Sequence, residues 1–199
     1  MIAIVGVDEA GRGPLAGPVV AGAAVLPPGF RTDRAGLAPL TDSKKLSAVQ
    51  RAAWFDILVA ETAHGIGIAN IEEIAAYNIL QATFLAMRRA VTELRARLRN
   101  AQIEIWVDGN RVPAFENIAP HQVKCFVGGD ALHAPISAAS VLAKVTRDRI
   151  MMELHARYPA YGWHQNMGYG TAAHRAAIAA HGACPEHRTL FLRKILAAA

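Results

Sequence analysis

Asp8 and Glu9 stand side by side after the apolar run Ile2 to Val7, and Gly11, Arg12, Gly13, Pro14, Leu15, Ala16 and Gly17 follow them closely. Three chemistries fit such a segment. Gly11, Gly13 and Ala16 satisfy the spacing of a dinucleotide-binding loop after a strand. Against that reading, a pyrophosphate would meet two carboxylates and Pro14 removes a backbone donor. Val19 to Leu26 also reads as a strand where a helix should open. A second reading makes Asp8 and Glu9 cation ligands, with the glycines letting the backbone approach a ligand closely. A divalent ion would relieve the repulsion between the two anions. The third is a solvated acidic turn, the commoner fate of an Asp-Glu pair. The segment alone leaves all three open.

Asp108 and Asp130 shift the balance. Each follows an apolar run, Ile103 to Val107 and Gln122 to Val127, so neighbouring strands could bring both to Asp8 and Glu9 near one sheet edge. Oxygen ligation by several carboxylates, without a Cys or His cluster, suits Mg²⁺ or Mn²⁺ better than Zn²⁺. Phosphodiester hydrolysis uses two such ions, about 3.5 to 4 Å apart, to activate water and steady the leaving oxygen. Cys184 and His187 have a ligand-like spacing but no second pair, which argues against zinc. His133, three residues beyond Asp130, reads as a surface-loop histidine.

The elements that must position these residues are readable. Ile2 to Val7, Val19 to Leu26, His64 to Ala69, Ile103 to Val107 and Gln122 to Val127 have strand character. Ser47 caps a helix to about Glu61, and Asn70 with Glu73 opens a long helix with a capping box. In that helix Leu80, Phe84, Met87, Val91, Leu94 and Leu98 draw one stripe for burial. Arg88, Arg89, Arg95, Arg97 and Arg99 are spread around it and read as a solvated surface. A further helix runs from Ile136 to about Tyr158, then a Gly-rich loop from Pro159 to Gly170, then two shorter helices. The expectation is an α/β fold with a mixed sheet of about five strands flanked by helices.

Of 199 residues, 53% are hydrophobic and 19% charged, which suits one domain over residues 1–199. No run approaches the roughly 18 apolar residues of a membrane span, and no signal peptide is evident. Cys125 and Cys184 are far apart, so free thiols and a cytoplasmic location are expected. The net charge of +5 permits a polyanionic partner without requiring one.

Four segments carry a resemblance. They are Gly6 to Pro14, Asp42-Ser43-Lys44-Lys45-Leu46-Ser47, Val107-Asp108-Gly109-Asn110, and Ile136 to Asp148. Together they closely resemble the signature segments of the ribonuclease HII family, in the family order and over nearly the whole chain. The resemblance implies an RNase H-like fold with a C-terminal helical part, roughly 159–199, that contacts substrate. It implies that Asp8, Glu9, Asp108 and Asp130 form the catalytic, metal-binding set. It also implies cleavage of RNA-DNA hybrids, and of duplex DNA 5′ of a single ribonucleotide, leaving 3′-hydroxyl and 5′-phosphate ends.

On the same resemblance Gly11, Arg12 and Gly13 read the ribose 2′-hydroxyl, and Tyr169 packs on the sugar at the RNA-to-DNA junction. Lys44, Lys45, Lys144 and Arg147 meet phosphates, while Ser43, Asn110 and Ser140 add neutral hydrogen bonds. Lys144 and Arg147 share a helix face by their spacing. The family resemblance also implies a monomer. Two positions depart from the pattern. Gly128 stands where a lysine is common before the Gly-Asp, and Asn166-Met167 stands where His-Lys often precedes Gly-Tyr. Rival readings are a resolvase or strand-transferase relative, a non-catalytic hybrid-binding module and, distantly, an oxidoreductase.

Overall fold

A computed structural model describes residues 2–98 and 101–196. Arg99 lies outside the described residues. Five strands, β1 (Ala3–Ala10), β2 (Val19–Val25), β3 (Ala63–Ala69), β4 (Ile103–Asp108) and β5 (Val123–Phe126), form one sheet in the order β3-β2-β1-β4-β5. β1 pairs antiparallel with β2 and parallel with β4, so the sheet is mixed and β1 is central. The helices are α1 (Ala48–Glu61), α2 (Ile71–Arg97), α3 (Gly129–Leu132), α4 (Ala134–Arg157), α5 (Trp163–Asn166), α6 (Ala172–His181) and α7 (Thr189–Leu196). None of the described helices is long and apolar enough to cross a membrane.

Side chains alternate across β1, so its two faces meet different helices. Val5 and Val7 join the core under α2. On the other face Gly6 lies against the backbone of Pro135 and Ile136, and Gly22 of β2 against that of Ala139. A Cβ at either glycine would overlap those atoms, so α4 can lie this close to the sheet only because both lack one. Gly22 sits directly opposite Asp8 in the β1–β2 ladder, which places Asp8 under the same stretch of α4.

The expected cap at Ser47 and the expected capping box of Asn70 with Glu73 both form, and Ser47 also completes a box with Gln50. The expected stripe of large residues in α2 is corrected in part. Met87, Val91 and Leu94 are buried, but Leu80, Phe84 and Leu98 are only half-buried, and Ala82, Ala86 and Ala90 complete the buried face. The cause lies on β3, where Gly65 and Gly67 let the helix settle onto the carbonyls of Ala90 and Ala86. α2 is also interrupted at Asn78, whose φ of 65° is left-handed and whose Oδ1 accepts the amides of Leu80 and Gln81, restarting the helix.

The expected Gly-rich loop contains a 3₁₀ turn, Pro159–Tyr161, and α5. Tyr161 and Trp163 stack at 5.2 Å and form a separate apolar cluster with Leu15, Met151, Leu154, Ile178 and Leu192. That cluster attaches the C-terminal segment to the end of β1. Arg89, Arg95 and Arg97 are exposed, as expected, and each also has a partner. Arg89 forms a two-pronged pair with Glu73, Arg97 bonds Glu93, and Arg95 donates to the Glu116 carbonyl.

Candidate active site

β1 does not stop before the acids. It carries Asp8 and Glu9 inside the ladder and ends at Ala10, paired with Val20. Because alternate residues face opposite ways, Asp8 emerges beneath α4 and Glu9 from the other face. Asp108 is the last residue of β4, next to β1. Beyond β5 the chain turns through Gly128, whose φ of 68° suits a residue without Cβ. The turn enters α3, where the Gly129 amide donates to Asp108 Oδ1 at 2.7 Å and Asp130 occupies the first turn. The result is that Asp8, Asp108 and Asp130 each offer an oxygen, all within 4.8 Å of one another. Glu9 stands outside that trio and pairs with Arg12 at 3.2 Å.

Asp8 and Asp130 are each 5% exposed. Burial, then the charges of Glu9 and Asp108, pushes the Asp8 carboxyl well above the usual range, against hydrogen bonds from Ser140 and the Glu9 amide. Burial, then Asp108 and Asp42, raises Asp130. Burial also raises Glu9, with Arg12 opposing. These carboxylates repel one another in a site that withholds water, an arrangement that favours a divalent cation. Lys44 answers the same field. Burial depresses its ammonium, but Asp42, Asp130, Asp8 and Asp108 outweigh that and raise it.

A cleft of about 380 Å³ adjoins the trio. Asp8, Glu9, Gly11, Arg12, Gly13, Ser43, Lys44, Ser140, Lys144, Arg147 and Tyr169 line it. The Ser140 and Ser43 hydroxyls are hydrogen-bonded at 2.9 Å, both buried. The Tyr169 ring stands beside Gly13 and is 47% exposed. Lys45 and Asn110 are exposed and outside the lining.

Arg147 does not share an exposed helix face with Lys144. It is 1% exposed, and its three nitrogens donate to the carbonyls of Pro18, Met167 and Ala16, so its charge is spent inside the fold. Lys144 pairs with Asp148 at 2.7 Å. His133 is half-buried in the link between α3 and α4. Its ring packs on Trp106 and Phe126, and its carbonyl starts α4. Asn166 and Met167 serve the turn before Tyr169. Asn166 accepts the Gly168 amide and donates to Tyr161, and Met167 takes a left-handed φ of 48°.

Sequence reasoning gave no role to Asp42, although it lies in a quoted motif, nor to Arg188. It also missed a buried histidine pair. Trp163 Nε1 can only donate, so His174 Nε2 accepts from it at 3.0 Å and His174 Nδ1 donates to the Tyr169 carbonyl at 2.9 Å. His187 Nε2, 3.1 Å from His174 Nε2, is then the donor, and its Nδ1 accepts the Cys184 amide. Burial lowers His174, and burial with the neighbouring ring takes His187 down to about 4, so both rings are neutral at pH 7.

A profile of the family described as ribonuclease HII matches residues 5–194. The chain belongs to the ribonuclease HII family. The ribonuclease HII of Sphingopyxis alaskensis is 55% identical over 188 residues, covering 94% of this chain and 88% of that protein. Among solved structures, ribonuclease H2 from Pyrococcus horikoshii OT3 superposes with a TM-score of 0.66 at 25% identity, over 99% of this chain and 98% of that one. Bst-RNase HIII in complex with Mn²⁺ superposes at 0.78 and 18% identity, over 99% of this chain and 70% of that one. The fold is therefore RNase H-like. As a ribonuclease HII, the chain is a ribonuclease H, an endonuclease whose substrate class is the RNA-DNA hybrid.

Proposed function

We propose that this ribonuclease H cuts the RNA strand of hybrids and also nicks duplex DNA on the 5′ side of a single embedded ribonucleotide, leaving 3′-hydroxyl and 5′-phosphate ends. The observation that carries the reading is the convergence of Asp8, Asp108 and Asp130 within 4.8 Å, beside a cleft lined by Gly11 to Gly13 and Tyr169. Asp8, Glu9, Asp108 and Asp130 are the catalytic acids. Their donor set is all oxygen and suits Mg²⁺ or Mn²⁺. Two such ions, when bound, supply charge neutralisation at the phosphate and an activated water.

The chain's own groups supply the rest. Asp8, Asp108 and Asp130 act as anions, which their mutual repulsion disfavours until a cation is present. Glu9, steadied by Arg12, borders the same space. Lys44 lies in the field of the acids, where its ammonium can hold the scissile strand. The amides around Gly11 to Gly13 donate to the ribose 2′-hydroxyl, the group that separates RNA from DNA. Tyr169 presents its exposed ring to the adjoining sugar. Lys144 in the cleft, with Lys45 and Asn110 at its margin, contributes contacts to the nucleic-acid backbone, and residues from roughly 159 to 199 act as the substrate-contacting part of one domain. A monomer in the cytoplasm completes the reading.

The test is cleavage-site mapping on a duplex containing one ribonucleotide, with Mg²⁺ and with Mn²⁺. One nick on the 5′ side, lost in Asp8→Asn, is the expected result. Cutting of all-DNA duplex at comparable rates would instead support a resolvase-like enzyme. Chelator-resistant binding with no cutting would support a binding module.

A further inference from the structure

Arg188 lies just before α7, 2% exposed, with no carboxylate in reach among the described residues. Its guanidinium is given wholly to carbonyls of the Gly11 to Pro18 loop. Nε donates to Gly17 at 2.9 Å and Nη1 to Arg12 at 3.0 Å. Nη2 lies 2.6 Å from the Gly11 oxygen, 2.7 Å from that of Gly17 and 3.1 Å from that of Pro18. Arg147 approaches the same loop from α4 through Ala16 and Pro18. Gly11, with φ of 98°, fits against the Arg147 side chain where a Cβ would collide.

The covalent geometry of the peptide turns this grip into a statement about donors. In a trans peptide the C=O of one residue and the N–H of the next point in opposite directions, and this chain has no cis peptide among its described residues. Drawing the Gly11 carbonyl toward Arg188 therefore turns the Arg12 amide away from it. Drawing in the Arg12 carbonyl does the same to the Gly13 amide. Gly11, Arg12 and Gly13 line the cleft with Tyr169, and Arg188 does not. Neither amide finds a protein acceptor among the described residues. The loop thus presents two adjacent free donors, backed by two buried positive charges.

We propose that Arg188 is a positioning residue for ribonucleotide recognition: by gripping the Gly11 and Arg12 carbonyls it aims the Arg12 and Gly13 amides at the ribose 2′-oxygen. The inference rests on the proposed role of this loop in reading the sugar. Arginine is required because its planar fork spreads five donors over four carbonyls, whereas a lysine ammonium is a point charge with three. A side chain that only stapled the C-terminal segment would affect every ligand alike. One that aims the amides affects only ligands carrying the 2′-hydroxyl.

The experiment compares two duplexes that differ by a single 2′-hydroxyl, with affinities measured in chelator by fluorescence anisotropy and nicking measured in Mn²⁺. Arg188→Lys is expected to lose about tenfold of the wild-type preference for the ribonucleotide duplex, while affinity for all-DNA duplex stays within about twofold. Mn²⁺ binding to the protein alone should persist. Equal weakening for both duplexes, or a preference that survives, overturns the role of Arg188. A wild-type protein that binds both duplexes equally overturns the loop reading and this proposal together, which separates the two failures.

Should Arg188→Lys fail to fold, the wild type decides by NMR. The Arg12 and Gly13 amides should exchange freely alone, and gain protection with ribonucleotide duplex but not with DNA duplex. Protection already present in the free protein overturns the proposal.

Discussion

Two groups of buried like charges lie close together here, and the fold treats them oppositely. At the ends of β1 and β4, Asp8, Asp108 and Asp130 face one another with few donors, and burial with mutual repulsion raises Asp8 and Asp130. Behind the neighbouring loop, Arg147 and Arg188 are as deeply buried, yet six carbonyls, those of Gly11, Arg12, Ala16, Gly17, Pro18 and Met167, take up their hydrogens. Burial, then Arg147, brings Arg188 only to about 9, so it stays charged at pH 7. The cations were completed by the backbone at folding. The acids were left for something from outside to complete, so one group stabilises the fold and the other binds.

The largest effect that would break this contrast is at Asp8. Asp8→Asn should lower nicking by about 10³-fold or more, since it removes charge stabilisation at the reacting phosphate. Without divalent ions the same variant should melt at a higher temperature, because a repulsive buried anion is gone. A lower melting temperature would mean that the acids are already satisfied. Arg147→Met should do the reverse. The Ala16 and Met167 carbonyls lose their side-chain donor and Pro18 keeps only Arg188, so urea unfolding should show a loss of about 2 to 3 kcal/mol, with the acid trio still binding Mn²⁺.

The pH dependence of stability sharpens the contrast by its sign. The Asp8 pKa is raised in the folded state, so its contribution is present at low pH and is lost as pH rises through the folded value. His187 is lowered to about 4, so its contribution is full above about 6.5, the unfolded value, and is lost as pH falls. At pH 5 the lost His187 contribution should reach about 2 kcal/mol, read as urea midpoints of wild type against His187→Asn at pH 5 and 7. The smallest effect belongs to Lys44. Lys44→Ala should weaken duplex binding a few-fold and reduce the slope of log affinity against log salt by about 1, with no change in ribonucleotide preference.

The acids were legible because each borders an apolar run, and runs of that kind fix strand ends. Even so, β1 continues through Asp8 and Glu9, because pairing with β2 as far as Val20 outweighs the polarity of its last residues. Strand order and the α4 contact were hidden. They depend on Gly6 and Gly22 meeting a helix more than a hundred residues later, and periodicity carries no such information. The kink at Asn78 left no Gly or Pro to mark it.

Arg188 and Arg147 illustrate the limit most clearly. In sequence a buried arginine satisfied by carbonyls looks like any surface arginine, since backbone acceptors have no residue type. The family resemblance accordingly implies a phosphate contact for Arg147, and nothing in the sequence marks Arg188. The His174–His187 pair was hidden for the same reason: its partners are a tryptophan N–H and main-chain groups brought together only by the C-terminal cluster.

Arg188 meets the Gly11 oxygen across 177 positions of chain. A ribosome adding about 5 to 20 residues each second therefore delivers this donor roughly 10 to 35 seconds after the glycines it must grasp. Throughout that interval the nascent polypeptide already contains Asp8 and Glu9 but cannot yet set the loop beside them. On the role proposed for Arg188, the growing molecule gains ribonucleotide selection only once position 188 has been added, and an early stop codon ahead of it would leave the loop without its grip.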